Sequence, residues 1–454
     1  MNKNIDLLNG NIRKALLKLS APLAATAFIQ MAYTLVDAAW IGRIGTNAVA
    51  AIGTAGFVVW ISQSIIMIPK IGMGVLSSQY YGRGDRKETR NIIKTGMEIA
   101  LIFAIVFSLI VLLFRSQYIS FYGLEEEVNN YANDYLVVIA MGFIFTFINP
   151  IFSQAYNSLG NSVIPFKINA IGLIINIILD PIMIFGIRDF QGLGIRGAAL
   201  ATVFSNFIVS IIFIVDFVRK DELIKESIEK GIAENKWMKR IIKLGFPSAL
   251  LNGFHAFITI ILSRLMAEFG ARPIAVYSIG SQMESLSWMT TEGVQVAISS
   301  IIAQNYGANH IDRVRKGIRE GIRLVAMIGI FAFFVLFIFR MQLFKIFVPE
   351  DNKTIMLGSK YLLILSFSQP FMAIEIGITG IFNGLSDTKT PAIVGNIMNA
   401  FRIPISLILM GTFGVLGVWM SMTITSVLKG ILNAILLKNN INNSIVFNNK
   451  TPSL

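Results

Sequence analysis

The chain has 454 residues, a formal net charge of +13, a hydrophobic fraction of 54% and a charged fraction of only 14%. A soluble domain has about 25% charged residues, so this composition excludes a soluble globular protein and a disordered chain and indicates an integral membrane protein. With no cysteine and only two histidines, the chain offers no thiolate or histidine-rich metal site. We therefore expect no cofactor.

Apolar runs of about 20 residues or more, the length that a helix needs to cross a membrane, recur along the whole chain. These runs are continuous rather than alternating, so they predict helices and not the strands of a barrel. The twelve predicted spans cover residues 19–41, 47–78, 92–114, 131–157, 166–187, 194–218, 244–269, 273–303, 318–339, 356–383, 391–411 and 414–437.

The basic residues predict the orientation of these spans. Most of the 39 Lys and Arg lie in the terminal segments and in loops on the same side as the N-terminus. The positive-inside rule then places both termini in the cytoplasm of a multi-pass protein of the cell membrane. The basic residues are dispersed over short loops rather than gathered on one face, so the positive charge does not predict nucleic-acid binding.

The sequence repeats itself at a distance of about 225 residues. Pro22 corresponds to Pro247, and QYYG at 79–82 corresponds to QNYG at 304–307. Six spans per copy is an even number, so both copies enter the membrane from the same side and form parallel repeats. The predicted fold is all-α, with twelve transmembrane helices in two six-helix lobes. Its parts are an N-terminal lobe (1–218), a linker (219–240), a C-terminal lobe (241–437) and a polar tail (438–454).

The linker has isoleucines at four-residue spacing, Ile224, Ile228 and Ile232, with charged residues between them. This pattern predicts either an amphipathic helix on the cytoplasmic membrane surface or a solvated linker with one apolar stripe. A fused, two-lobed chain suits rocking of one lobe against the other, which favours a transporter. The chain has no GxxxxGK[ST] motif, so an ATP-driven pump is unsupported.

Several motifs occur in a fixed order on this duplicated chain. They are TLVDAAWIGRIG (34–45), QYYGRGD (79–85), NAIGLIINIILDP (169–181), GLGIRGAALAT (192–202), QNYGANH (304–310) and NGLSDTKTP (383–391). Over residues 10–437 the chain resembles the multidrug and toxic compound extrusion (MATE) family, in its DinF-like and NorM-like branches. The resemblance implies an antiporter that exports amphipathic, often cationic compounds in exchange for protons or Na⁺ by alternating access.

Two carboxylates within the predicted spans form the candidate coupling site. An unpaired ionisable group in a span costs roughly several kcal/mol, so Asp37 and Asp180 are functional candidates. Both lie about 10 Å from the outer ends of their spans. Asn176 is one turn from Asp180, and the three side chains could share a proton or coordinate Na⁺ through oxygen. The resemblance implies that the coupling ion acts here and that Thr202 contributes a nearby hydroxyl.

Prolines near these carboxylates suggest a structural role for Asp180 as an alternative to ion coupling, and they suggest hinges. Asp180 could instead cap a helix that is broken at Pro181. Pro22 lies below Asp37 in the first span, so both prolines are hinge candidates and the first span is the expected moving element.

The C-terminal lobe departs from one branch of the family. That branch has a glutamate eight residues after the proline of span seven and an aspartate in span ten, whereas this chain has His255 and, near the second position, Met372. The missing acids shift our expectation to coupling in the N-terminal lobe. Glu375, one turn beyond Met372, is predicted to line the substrate cavity. His255 is predicted to be a proton relay, a substrate contact or a structural histidine. Through the repeat, Asn149 and Gln30 become cavity candidates as well.

Other charged residues in the spans leave alternatives open. Glu284 and Glu292 are eight residues apart, roughly on one helical face, where they could attract a cationic substrate. Glu284 could instead pair with Arg264. Arg402 could either pair with Glu375 or reach the cytoplasmic surface.

Two other classes of function compete with the antiporter. A lipid-linked oligosaccharide flippase of the same superfamily is the main alternative, although such proteins often have extra spans and an arginine-rich cavity. A structural membrane protein or sensor is a second alternative, and no soluble sensor domain accompanies the spans. No constellation of nucleophile and base predicts an enzyme. We expect small amphipathic substrates, the lipid bilayer as surroundings, no nucleic-acid partner and a monomer.

Overall fold

A computed structural model describes residues 5–188, 190–220 and 235–443 and shows a nearly all-helical chain. The helices are α1 (Ile12–Gly42), α2 (Thr46–Gly82), α3 (Arg86–Ser120), α4 (Glu126–Ser158), α5 (Val163–Phe185), α6 (Gly194–Lys220), α7 (Asn235–Ala267), α8 (Ala271–Gly307), α9 (Ile311–Ile338), α10 (Arg340–Phe347), α11 (Asn352–Ser366), α12 (Gln369–Gly384), α13 (Lys389–Phe413) and α14 (Val415–Asn443). Two short antiparallel strands, β1 (Gly186–Ile187) and β2 (Phe190–Gln191), connect α5 to α6. The sequence did not predict this hairpin or the short helix α10.

Each of the twelve predicted spans falls on a helix or on a kinked pair of helices. Among the described residues, ten helices are individually long and apolar enough to cross a membrane, and the pair α11–α12 makes an eleventh. The remaining predicted span, 273–303, corresponds to α8, which is 37 residues long but has polar residues spread along its length. The protein is therefore a multi-pass membrane protein of helical fold, as the composition predicted.

The predicted span 356–383 is bent by 48° between α11 and α12. Pro370 lies in the first turn of α12, where its missing N–H costs no hydrogen bond, and it prevents α11 from continuing. Gln369, the first residue of α12 after the break, is fully buried. The bend therefore supplies a polar group to the interior.

The described residues divide into two compact units, which we call unit 1 and unit 2. Unit 1 contains residues 25–188, 190–220 and 235–249, and unit 2 contains residues 5–24 and 250–443. The first helix of each repeat, α1 or α7, is thus shared between the units. Each changes unit two residues after its proline, Pro22 or Pro247. Proline removes one helical hydrogen bond and permits a bend there, which keeps both prolines as hinge candidates.

Glycines allow these shared helices to pack tightly. In unit 1, a Cβ on Gly245 of α7 would overlap the backbone carbonyl of Ile68 in α2. In unit 2, a Cβ on Gly293 of α8 would meet the backbone of Leu23 and Ala24 in α1. Ile68 and Gly293 occupy equivalent positions in the repeat, so both units have the same close helix crossing, but the glycine lies on the opposite partner.

The start of α7 is anchored to unit 1 by a charged and aromatic cluster. Glu88 of α3 accepts hydrogen bonds from Lys236 Nζ at 2.9 Å and from Trp237 Nε1 at 2.8 Å. The fully buried Trp237 ring packs edge-on against Tyr80, with centroids 5.0 Å apart. The buried indole ring adds apolar contact, and the hydrogen bond of its N–H fixes the orientation of the ring.

The N-terminal segment is anchored to unit 2 in a different way. Arg313 of α9 donates to the carbonyls of Gly10 at 3.0 Å and Leu7 at 3.3 Å, and Asn305 of α8 donates to Leu7 at 3.0 Å. Backbone amides at Asn9 and Leu8 bond to Asp6 and hold the pKa of its carboxyl below the usual range, and the charge of Arg313 acts in the same direction. The segment is therefore folded before α1 begins.

These two anchors occupy equivalent positions in the repeat but have opposite charge. Glu88 corresponds to Arg313, and Tyr80 corresponds to Asn305. Glu88 binds the start of α7, which carries cationic side chains. Arg313 binds the N-terminal segment, which presents carbonyl oxygens. Exchanging the two segments would place like charges or unpaired donors together, so the reversal specifies which segment packs against which unit.

We expect Glu88→Ala to destabilise the protein by about 1–2 kcal/mol, because it leaves the indole N–H of Trp237 unpaired and frees Lys236. The measurement is the thermal unfolding midpoint of the purified protein in detergent. Asp312→Ala is the matched control, since Asp312 also lies in the first turn of its helix but its side chain is almost fully exposed. The control should change stability by less than about 0.5 kcal/mol, and an equal effect of both variants would contradict the anchor.

Part of the predicted linker and tail lies outside the described residues. This includes 221–234, with Ile224, Ile228 and Ile232, and 444–454. The last helix continues through 438–443, so the predicted polar tail begins as helix.

Candidate functional site

The structure brings Asp37, Asp180 and Asn176 together inside unit 1. Asp37 on α1 and Asp180 on α5 each lie five residues before the end of their helix, which puts the two carboxyls at one level. Asn176 Nδ2 donates to Asp180 Oδ1 at 3.0 Å. The carboxyl of Asp37 is within side-chain hydrogen-bonding reach of both other residues. Two carboxyls this close repel each other as anions unless a proton or a cation lies between them.

Three oxygen atoms of this site lack partners. Asp37 Oδ1, Asp180 Oδ2 and Asn176 Oδ1 are buried and form no hydrogen bond within the described ranges. Asp180 and Asn176 are essentially inaccessible, at 1% and 0% exposure. Buried acceptors of this kind are normally satisfied, so the arrangement indicates a place for a proton, a water or a hard cation.

Two tyrosines that sequence reasoning missed surround the carboxylates. Tyr33 lies one turn before Asp37 on α1, and its hydroxyl is close to Thr202 and Ser205 on α6. Tyr135 of α4 is near enough to interact electrostatically with both carboxylates. The sequence carried a signal for Tyr135, because the repeat aligned it with Tyr361.

Thr202 lies beside this site without bonding to the carboxylates. Its hydroxyl donates to the carbonyl of Ala198 at 3.1 Å. Asp180, for its part, does not cap a broken helix, because α5 continues through Pro181 to Phe185. The structural alternative for Asp180 is therefore wrong, although Pro181 still removes one helical hydrogen bond next to it.

Asn149 and Gln30, which the repeat suggested as cavity residues, have different surroundings. Asn149 is buried and joins α4 to α6. Its amide donates to the Asn206 carbonyl at 2.9 Å and its Oδ1 accepts from Ser210 at 2.7 Å. These bonds satisfy the side chain and indicate helix packing. Gln30 is exposed on α1.

Glu284 does not pair with Arg264, so that alternative from the sequence is wrong. Its two oxygens accept hydrogen bonds from Tyr361 Oη at 3.0 Å and from Gln369 Nε2 at 3.2 Å, and Arg264 is exposed. Glu292 is also exposed. Eight residues advance a helix about 80° beyond two full turns, which is enough to give the two glutamates different surroundings.

Glu375 forms an ion pair with Lys429 of α14, with Nζ and Oε2 3.5 Å apart, and both side chains are buried. Lys429 was not singled out from the sequence. Arg402 is also buried and does not reach the surface. Its Nε and Nη2 donate to the hydroxyls of Thr425 at 3.1 Å and Ser426 at 3.2 Å. Glu375 therefore pairs with Lys429 and not with Arg402.

His255 of α7 adds an exposed imidazole to this part of unit 2. It lies within electrostatic range of Arg402 and Lys429 and close to the Asn399 amide. Unlike the two cations, the imidazole has accessible surface.

Comparison with known proteins supports the fold and the repeat. A sequence model of the family described as MatE matches residues 22–182 and 247–408, two segments that begin at the paired prolines Pro22 and Pro247. The chain is 28% identical to the "Probable multidrug resistance protein NorM" of Thermotoga maritima over 90% of this chain and 89% of that protein. It is 24% identical to the "FAD transporter" of Shewanella oneidensis, covering 95% of each chain.

Solved structures have the same fold at lower identity. An outward-facing multidrug resistance MATE family transporter of the MOP superfamily aligns with a TM-score of 0.91 at 20% identity, over 97% of this chain and 98% of that one. A mutant of the Vibrio cholerae MATE transporter VcmN aligns with a TM-score of 0.89 at 18% identity, over 96% of this chain and 98% of that one. At this identity the structures establish the fold but not the substrate.

Proposed function

Because the chain belongs to the MatE family of multidrug transporters, we propose that it exports amphipathic organic compounds, often cationic, in exchange for protons or Na⁺. The observation that carries this proposal is the buried group of Asp37, Asp180 and Asn176, with three oxygens that lack hydrogen bonds in the described part of the chain. We place the protein in the cell membrane as a monomer with both termini in the cytoplasm.

The coupling ion binds between the two carboxylates. A proton removes the repulsion by converting one carboxyl into a hydrogen-bond donor to the other. Na⁺ does the same through oxygen coordination by Asp37, Asp180 and Asn176. The described residues supply oxygen for either ion, so the ion is a question for experiment.

Exchange follows from competition between ion and substrate for one unit. Ion binding at Asp37 and Asp180 favours one arrangement of α1 and α5, and substrate binding favours another. Pro22 and Pro181 lie on these two helices and permit the change in backbone direction. Each ligand then releases the other, which is the requirement for antiport.

The proposal is tested with purified protein in liposomes. Ethidium uptake is followed while either a pH gradient or a Na⁺ gradient is imposed across the membrane. We expect one of the two gradients to accelerate uptake about tenfold over a control without a gradient, which corresponds to about 1.4 kcal/mol in activation free energy. Uptake that responds to neither gradient would contradict antiport. Accumulation of lipid-linked sugars on gene deletion, without any dye transport, would favour the flippase.

A further inference from the structure

Unit 2 contains a buried group of charges that the proposed coupling site does not use. Arg402 on α13, Lys429 on α14 and Glu375 on α12 are 5%, 7% and 8% exposed. Burying charge within membrane-spanning helices is expensive and marks a functional site by default. The three residues lie within electrostatic range of one another, and the two cations lie within range of His255.

Arg402 is held in place by neutral groups and keeps part of its guanidinium uncommitted. Thr425 and Ser426, adjacent on α14, accept from Nε and Nη2. In the described chain, Nη1 forms no hydrogen bond and no carboxylate forms an ion pair with this arginine. A guanidinium that is oriented by hydroxyls but lacks an anionic partner is prepared for a bidentate carboxylate or phosphate.

Lys429 already has an anion, but the pair is a loose one. Its Nζ is 3.5 Å from Glu375 Oε2, longer than the 2.7–2.9 Å of a well-formed charged hydrogen bond. Glu375 is therefore placed as an internal anion that neutralises the lysine while no ligand is bound. An incoming acidic group would replace Glu375 at Lys429 and reach Arg402, which lies in the same cluster.

Neighbouring amides support a ligand site rather than a closed ion pair. Asn399, one turn from Arg402, has an unpartnered Oδ1 and is 1% exposed. Asn433, one turn from Lys429, has neither amide atom bonded in the described residues and is fully buried. Buried polar atoms left open next to two cations require water or a ligand. His255, an imidazole with accessible surface on α7, lies close to Asn399 and within electrostatic range of both cations.

We propose that Arg402 and Lys429 bind an acidic group, a carboxylate or phosphate, of the transported compound, with Glu375 occupying that position in the empty protein. The transported class then includes organic anions and zwitterions as well as cations. This inference rests on the proposed export function but can be tested without transport, because it concerns binding within unit 2.

The probe pair is fluorescein and its methyl ester, which share one ring system and differ in the free carboxylate. Binding is measured by fluorescence anisotropy with the purified protein in nanodiscs. We expect wild type to bind fluorescein about tenfold more tightly than the ester, and Arg402→Gln to abolish that preference. Arg264→Gln is the matched control, because Arg264 is an exposed arginine of the same unit, and it should keep the preference.

Glu375→Gln distinguishes a ligand site from a structural ion pair. If Glu375 occupies the position of the ligand's acidic group, removing its charge frees Lys429 and tightens fluorescein binding several-fold. A structural pair predicts the opposite, since breaking it leaves a buried unpaired cation and weakens the fold. Equal binding of fluorescein and ester by wild type, or loss of fluorescein binding in Glu375→Gln, would overturn the proposal.

Transport measurements separate this proposal from the export function. Retention of the carboxylate preference in a protein that transports no dye in liposomes would support the acidic-group site and contradict antiport alone. Gradient-driven ethidium transport by a protein without the preference would overturn the acidic-group site alone.

Discussion

Replacing Asp180 with asparagine is expected to reduce ethidium efflux at least tenfold while leaving the protein folded. Asparagine has nearly the same shape and keeps a hydrogen bond with Asn176, but it cannot carry the negative charge that a proton or Na⁺ neutralises. Asp37→Asn is expected to behave in the same way, because both carboxyls belong to one group. The measurement is dye efflux from cells with matched amounts of protein in the membrane.

The double variant provides a sharper test of a shared site. If Asp37 and Asp180 hold one ion together, either change alone removes the coupling and the second adds little, so the effects are strongly non-additive. Asp134→Asn is the control, since Asp134 belongs to the same unit but forms an exposed ion pair with Arg196 at 2.7 Å. Full efflux in both single variants would rule out the coupling site.

Gly245→Ala is expected to destabilise the protein by about 2 kcal/mol or more. The added Cβ would overlap the carbonyl oxygen of Ile68, and a backbone atom cannot rotate away as a side chain can. α2 and α7 would have to separate, which opens the tight contact on which the start of α7 depends. The thermal unfolding midpoint in detergent measures this effect.

Gly253→Ala, on the same helix, is the matched control with the opposite expected sign. Among the described residues, no atom lies within 4 Å of a Cβ at Gly253. Alanine favours helix over glycine by about 1 kcal/mol, so this variant should be neutral or slightly stabilising. If the two variants unfold at the same temperature, the close helix crossing at Gly245 does not limit stability.

The architecture was predictable because membrane spans depend on local composition. A helix crosses the bilayer if it is long enough and apolar enough, and both properties can be read from the sequence. The duplication was visible for the same reason, since paired prolines and the two QxYG motifs recur at a nearly constant distance. The carboxylates Asp37 and Asp180 stood out because so few charges occur in the spans.

The helix exchange between the units was not predictable from the sequence. A lobe boundary at the linker is the natural inference from the repeat, yet residues 5–24 group with unit 2 and residues 235–249 group with unit 1. That grouping depends on contacts between residues far apart in sequence, such as Lys236 with Glu88, 148 residues apart, and Arg313 with Gly10, 303 residues apart. Neither helical periodicity nor hydrophobicity contains this information.

The sequence alone determined the helical membrane fold, its duplication, and the position of two carboxylates at one level. Only the tertiary structure decided which charges meet. In the tertiary structure Lys429 pairs with Glu375, and Arg402 donates to a hydroxyl. Glu284 accepts hydrogen bonds from Tyr361 and Gln369. Helical periodicity fixes the face on which a side chain lies, but the rotation of each helix against its neighbours determines what that face contacts.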